Sequence, residues 1–218
     1  MRGARFTRRR GGAGGGGAAM ERASLRRLHS ATGLMPLGAY LLFHAWEHWP
    51  VRHGRDALLA RLAHSTSAPL EVVLVLLPLL AHGALGLWLA RDPAGVRAYV
   101  SPAFRKLQIA TGVIAAAFLL LHLTTAWLPR WLGTGSLEAA YGAALDWTGT
   151  APLLTLHALG VGAVCTHLGQ GIGLALPRLW PGRIAPRPGR VLGVLMGAVL
   201  WLIFLNELAA YATYAPLL

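Results

Sequence analysis

LEVVLVLLPLLAHGALGLWLA, residues 70–90, carries a single charge, Glu71, and a single histidine, His82. A bilayer core asks for roughly 20 apolar residues in a helix rising about 1.5 Å each, so this stretch predicts a transmembrane helix. Working outward, four more stretches of that kind lie at 28–49, 107–128, 152–176 and 190–213. Between the five, numbered spans I to V, lie the polar, turn-rich breaks PVRHGRD, RDPAG, the GTGS region and PRLWPGRIAPRPGR. The expected fold is all-α, a polytopic membrane protein of five transmembrane helices with spans I–IV as a four-helix bundle.

Composition agrees, with 55% apolar residues, 13% charged and a mean hydropathy of +0.51. A net charge of +12 invites a nucleic-acid reading. The basic residues, however, fall between apolar runs instead of forming a stripe, so no nucleic-acid partner is expected. Cys165 is the only cysteine, which excludes an intramolecular disulfide, a CxxC pair and a thiolate metal cage. Any redox cofactor must be held by histidines. Residues 1–19, nearly all Arg, Gly and Ala, lack the apolar stretch of a secretory signal. They read as a disordered extension ahead of a membrane domain at 20–218, and a translation start at Met20 accounts for them equally well.

Charge sets the orientation. Of the 20 Lys and Arg, those before span I, in the II–III loop (Arg91, Arg97, Arg105, Lys106) and in the IV–V loop (Arg178, Arg183, Arg187, Arg190) far outnumber those of the other loops. The positive-inside rule then puts the N-terminus in the cytoplasm and the C-terminus outside. Trp46, Trp49, Trp127, Trp131 and Trp147 cluster at the expected outer boundary, as an aromatic belt does.

Four of the nine histidines lie deep in spans: His44 in I, His82 in II, His122 in III and His167 in IV. One intramembrane histidine is often a packed, hydrogen-bonded residue; one on each of four successive spans points to function, because such groups are costly in lipid. His44 and His122 fall at nearly the same height, His44 roughly 8 Å outward of its span's midpoint, and His82 and His167 fall on the cytoplasmic side. Diagonal helices of a four-helix bundle face each other across its core. The expectation is two layers, I with III and II with IV, each supplying both axial ligands of one haem iron.

The sequence also repeats itself. Ala31-Thr32-Gly33 precedes His44 much as Ala110-Thr111-Gly112 precedes His122, and His82 and His167 each open an H-x-x-x-G-x-x-L-A string. The glycine one turn after the ligand, Gly86 or Gly171, leaves room for a flat macrocycle.

RRLHSATG with His44 downstream, LEVVLVLLPLLAH, QIATG with His122, and THLGQG followed by Pro-Arg and a last span without a ligand occur in that order after Met20. The chain resembles the five-helix dihaem cytochrome b anchor of the succinate dehydrogenase and fumarate reductase family. The resemblance implies two haem b, His44 and His122 holding the outer and His82 and His167 the inner. It implies flavoprotein and iron–sulfur partners on the cytoplasmic face of a bacterial cytoplasmic membrane, with quinone, here menaquinone, as electron acceptor. It further implies that the chain relays electrons in the tricarboxylic acid cycle's succinate oxidation and does not oxidise succinate itself; a higher oligomer of the complex is compatible with this.

His29, Ser30, Lys106 and Arg178 are the expected propionate partners near the cytoplasmic boundary, although positive-inside topology alone also accounts for Lys106 and Arg178. Glu71 matches an acidic position of the family and is the candidate for protonating quinone; helix capping is the plain alternative. His48 and His157 are candidates for the quinone pocket, His48 being equally readable as an alternative ligand or a wet interfacial residue. Glu47 and Glu207 also fall near the outer surface. Cys165 stands where some fumarate reductases carry a glutamate, which favours succinate oxidation over fumarate reduction. A haem-free membrane protein or transporter is the alternative of a different class, with Pro78 as its only broken-helix hint. A periplasm-active reporter fused after Leu218 is expected to be active; activity of only a cytoplasmic reporter there would reverse the orientation.

Overall fold

The computed structural model describes residues 15–64, 68–91, 101–128 and 149–213, with isolated positions at 132, 136, 139 and 142. Trp131 and Trp147 of the expected aromatic belt lie outside them. Every element among the described residues is helical. In chain order these are α1 (Gly15–Thr32), α2 (Gly38–His48), α3 (Arg55–Leu62), α4 (Ala68–Glu71), α5 (Leu77–Ala90), α6 (Pro102–His122), α7 (Ala151–Leu179) and α8 (Pro186–Thr213). Three wide π turns join or extend them: Gly33–Leu37 between α1 and α2, Val72–Leu76 between α4 and α5, and Leu123–Trp127 after α6.

Prolines explain where the helices start. Pro102, Pro152 and Pro186 sit at first-turn positions of α6, α7 and α8, where the missing N–H costs nothing. Ser101 caps α6 by accepting from the Phe104 N–H at 3.3 Å. These helices therefore run a few residues longer than the apolar stretches alone predict. Pro36 falls inside the first π turn, where a helix missing one donor widens, and the Gly38 N–H bonds back to the Gly33 carbonyl. α1 begins at Gly15, inside the segment read from sequence as an unstructured extension.

Four helical stretches among the described residues are long and apolar enough to cross a membrane: Val72–Ala90, Pro102–Trp127, Ala151–Leu179 and Pro186–Thr213. The α1–α2 stretch is long enough but less apolar, because His29, Ser30, Thr32, Pro36, Tyr40 and His44 interrupt it. Its inward-facing polar groups are the ones the site below uses.

The four bundle helices meet in the order α1/α2, α5, α6, α7 and back, so that α1/α2 faces α6 and α5 faces α7 across the middle. α8 lies outside this ring, against α7. That contact is made by glycines. A Cβ on Gly193 would lie 2.6 Å from the Gly173 nitrogen, and one on Gly197 2.7 Å from the Cys165 carbonyl. The two backbones therefore touch directly, which is how helices pack when surrounding lipid gives no hydrophobic drive. Cys165 is fully buried there with Ala45, Leu200 and Phe204, a packing role.

The outside and inside of the molecule are inverted relative to a water-soluble protein. Leu74, Leu80, Leu87, Leu120, Val191, Val199 and Leu202 are each more than half exposed, while Glu47, Glu71, Gln170, Asn206 and Glu207 are buried. An apolar girdle of this extent fits lipid as its solvent. At one end, the turn Trp49–His53 and α3 fold back over the bundle. Val51 and Leu58 pack against Ala210 and Tyr211 of α8, and the Arg52 and Arg61 guanidiniums stack 3.7 Å over Trp49 and Trp46. Sequence reading treated that segment only as a polar break.

Because Gly193 meets backbone, Gly193→Val should loosen α8 from α7 and cost about 1–3 kcal/mol, the usual range for overpacking. Reversible denaturation in mixed micelles would read the loss; unchanged stability would mean the helices re-seat freely.

Candidate functional site

The bundle encloses a cavity of about 430 Å³, reaching from His29, Ser30 and Arg178 at one end to Glu47, Glu71 and Glu207 at the other. His44, His82, His122 and His167 all line it. Their rings pair across the bundle as two separate sets. His82 of α5 and His167 of α7 have ring centroids 6.0 Å apart, with planes at 81°. His44 of α2 and His122 of α6 are 6.1 Å apart, at 77°.

The His82/His167 pair is seated by the repeat noticed in the sequence. The His82 Nδ1–H donates to the His29 carbonyl at 2.9 Å. The His167 Nδ1–H donates to the Gln108 carbonyl at 3.0 Å. A carbonyl only accepts, so Nδ1 carries the proton in both rings and Nε2 keeps its lone pair. Both carbonyls also accept a hydroxyl, from Thr32 at 3.1 Å and from Thr111 at 3.2 Å. One residue beyond each threonine stands the glycine that makes room. A Cβ on Gly33 would lie 2.8 Å from His82 Nδ1, and one on Gly112 2.9 Å from His167 Cε1. Each Thr-Gly pair thus serves the histidine of the neighbouring helix. Sequence reading gave Gly86 and Gly171 a different role, room for a flat macrocycle. In the structure Gly86 faces the His29 ring, and Gly171 meets open space in the cavity wall.

The second pair is built differently. His44 Nδ1 is buried without a hydrogen-bond partner among the described residues. Aromatic rings hold its neighbourhood. Tyr40 stacks on His44 at 5.6 Å, Phe118 stacks on His122 at 5.8 Å, and His48 and His157 lie 4.3 and 5.7 Å from His44 and His122 respectively. His48 also shares a 2.8 Å hydrogen bond with the Tyr211 hydroxyl. Glu71, only 6% exposed, accepts from the Trp127 indole N–H, tying α4 to the π turn after α6.

Of the expected propionate partners, His29, Ser30 and Arg178 line the cavity, whereas Lys106 is exposed and is not among its lining residues. The His29 ring stacks on His82 at 3.9 Å, nearly parallel to it. Glu207 and Tyr211 were not singled out by sequence reading as parts of the site, yet both line its Glu71 end. A lone acidic residue inside an apolar span was the available signal for Glu207.

Metal–imidazole bonds are about 2.0–2.1 Å, so two imidazoles on one iron hold their ring centres about 6 Å apart. Both pairs fit that separation, and in His82 and His167 the nitrogen left free is the one that would coordinate, oriented from behind as ligating histidines are. Among the described residues no group of three or more His, Cys, Asp or Glu is disposed to hold a bare metal ion. Two-donor sets across a long cavity match a porphyrin iron, which asks the protein for axial ligands only.

The chain is 25% identical over 173 residues, 76% of its own length and 84% of the relative's, to the succinate dehydrogenase cytochrome b558 subunit of Bacillus subtilis (strain 168). The likeness runs over most of both chains at a distant identity. No family model matches the chain, and no solved structure matches it. A membrane cytochrome b subunit as relative agrees with the all-helical, apolar-surfaced fold.

Gly33→Val and Gly112→Val should push the His82 and His167 rings, respectively, off their carbonyls. About one haem equivalent is expected to be lost per variant, read as the haem-to-protein ratio of the purified complex. Full haem content in both would remove the seating role.

Proposed function

We propose that this chain is the membrane-anchor cytochrome b of a succinate:quinone oxidoreductase, crossing the bacterial cytoplasmic membrane five times with its N-terminus inside. The single observation that carries the reading is the pair of crossed histidine sets, 6.0 and 6.1 Å between ring centres, along one cavity. His82 and His167 would hold an inner haem b, and His44 and His122 an outer one. Bound there, the two haems supply one-electron relay from a cytoplasmic iron–sulfur subunit to quinone, and bis-histidine ligation leaves no open iron position for substrate.

The remaining residues do the binding and proton work. His29, Ser30 and Arg178 are donors at the Arg178 end of the cavity, where propionates need cations and N–H or O–H groups. Glu71, buried and held by Trp127, would give a proton to quinone near the outer surface, with His48 and His157 lining the same cavity. Moving an electron outward is favoured by about 2.3 kcal/mol per 100 mV of membrane potential. That gain makes a low-potential menaquinone a workable acceptor for succinate. The flavoprotein and iron–sulfur subunits would dock on the cytoplasmic face, where Arg105, Lys106, Arg178, Arg183 and Arg187 gather.

Two low-spin b haems per chain are expected. Replacing His82 or His167 should remove one and replacing His44 or His122 the other, measured by pyridine haemochrome on the assembled complex. One haem or none in the unmodified chain, or loss of the same haem from His44 and His82 variants, would sink the assignment.

A further inference from the structure

Quinone becomes quinol by taking two electrons and two protons, one proton on each ring oxygen, yet Glu71 is a single donor on one wall of the cavity. The opposite wall, at the same end, carries a second acid. Glu207 lies on α8, lines the cavity and is 3% exposed, and its Oε1 has no hydrogen-bond partner among the described residues. A carboxyl on an otherwise apolar, membrane-crossing helix is costly unless it is used. The closest backbone contacts of α8 with α7 lie several turns away, at Gly193 and Gly197.

The surroundings connect Glu207 to the aqueous edge. The Arg52 guanidinium, on the turn that folds over this end, attracts it electrostatically. Buried Glu47 and the hydrogen-bonded His48–Tyr211 pair line the same end of the cavity from α2 and α8. Leu58 of α3 packs against Tyr211 at this end and is itself fully buried, while the Arg52 charge acts on the carboxyl from the turn above.

We propose that Glu207 is the second proton donor to quinone, serving one ring oxygen while Glu71 serves the other. This rests on the quinone-reducing reading above. In the step, each carboxyl O–H bond breaks as a quinol O–H bond forms, two electrons arrive from succinate through the partner subunits and the haem relay, and both carboxylates are reprotonated from the outer aqueous phase. Nothing else is consumed. Arg52 acts on Glu207 as a positioning residue and does not touch the quinone.

The test uses the assembled complex with Glu207→Gln, Glu207→Asp and Glu71→Gln. Haem content and the partner subunits' succinate-to-dye rate serve as assembly controls, and a tail-truncated naphthoquinone is the acceptor. Glu207→Gln is expected to lower the quinone-reduction kcat about a hundredfold, the scale of a lost general acid, with KM little changed, and Glu207→Asp to recover much of it. The quinone/quinol infrared difference spectrum should show two carboxylic-acid bands, one absent in Glu71→Gln and the other absent in Glu207→Gln. A wild-type kcat in Glu207→Gln, or a spectrum in which only the Glu71-dependent band appears, overturns the proposal. So does failure of both Glu207 variants to assemble, which would make the residue structural. If the unmodified complex holds no haem or reduces no quinone, the reading beneath fails instead and takes this one with it.

Discussion

A histidine inside a membrane has no water to turn to, and every donor and acceptor on its ring must be met by protein or by a ligand. In this chain the need is met by one contact made twice: an Nδ1–H donating to a backbone carbonyl that already accepts a threonine hydroxyl one turn on. A single hydrogen bond of this kind adds only about 0.5–1.5 kcal/mol. Its larger effect is on chemistry, because it removes the choice of tautomer and turns Nε2 toward the cavity. The glycine beside each threonine, the approach of α1 to α5 and of α6 to α7, and the 6.0 Å gap across the bundle all follow from seating that ring.

The two histidine sets are alike in spacing and unlike in support. His82 and His167 are fixed by backbone, which does not titrate or rotate. His44 and His122 stand among Tyr40, His48, Phe118 and His157, in the half of the cavity that also holds Glu71 and Glu207. A relay close to the iron–sulfur partner needs a constant environment; the half where protons must meet a substrate needs side chains that exchange hydrogen bonds. The asymmetry follows the division of labour proposed for the two ends.

α8 carries none of the paired histidines, and its role is mechanical first. By packing backbone to backbone on α7 through Gly169, Gly173, Gly193 and Gly197, it leaves the bundle core free for the cavity. Its far end supplies the wall opposite Glu71. α3 and the turn before it then cover that wall, with Arg52 and Arg61 stacked on tryptophans at the boundary where aromatic rings are at home.

Helix class, the four most apolar stretches and the one-histidine-per-span pattern were legible in the sequence, because lipid imposes length and composition directly on a chain. The two-layer pairing followed from counting rise per residue along helices of alternating direction, and the structure brings together the same partners, His44 with His122 and His82 with His167. The Thr-Gly repeat was visible, but which histidine it serves was not, since its partner lies about fifty residues away on another helix, at a distance only packing defines. For the same reason the room that Gly33 and Gly112 make for the two rings was not legible, nor that Lys106 stands outside the cavity lining that His29, Ser30 and Arg178 share. Glu207 could be seen as a lone acid in an apolar span; that it faces Glu71's cavity, and not lipid, was decided by how α8 packs on its neighbours. Composition determines that a helix lies in the membrane. Which of its faces looks inward is set by the neighbour it touches.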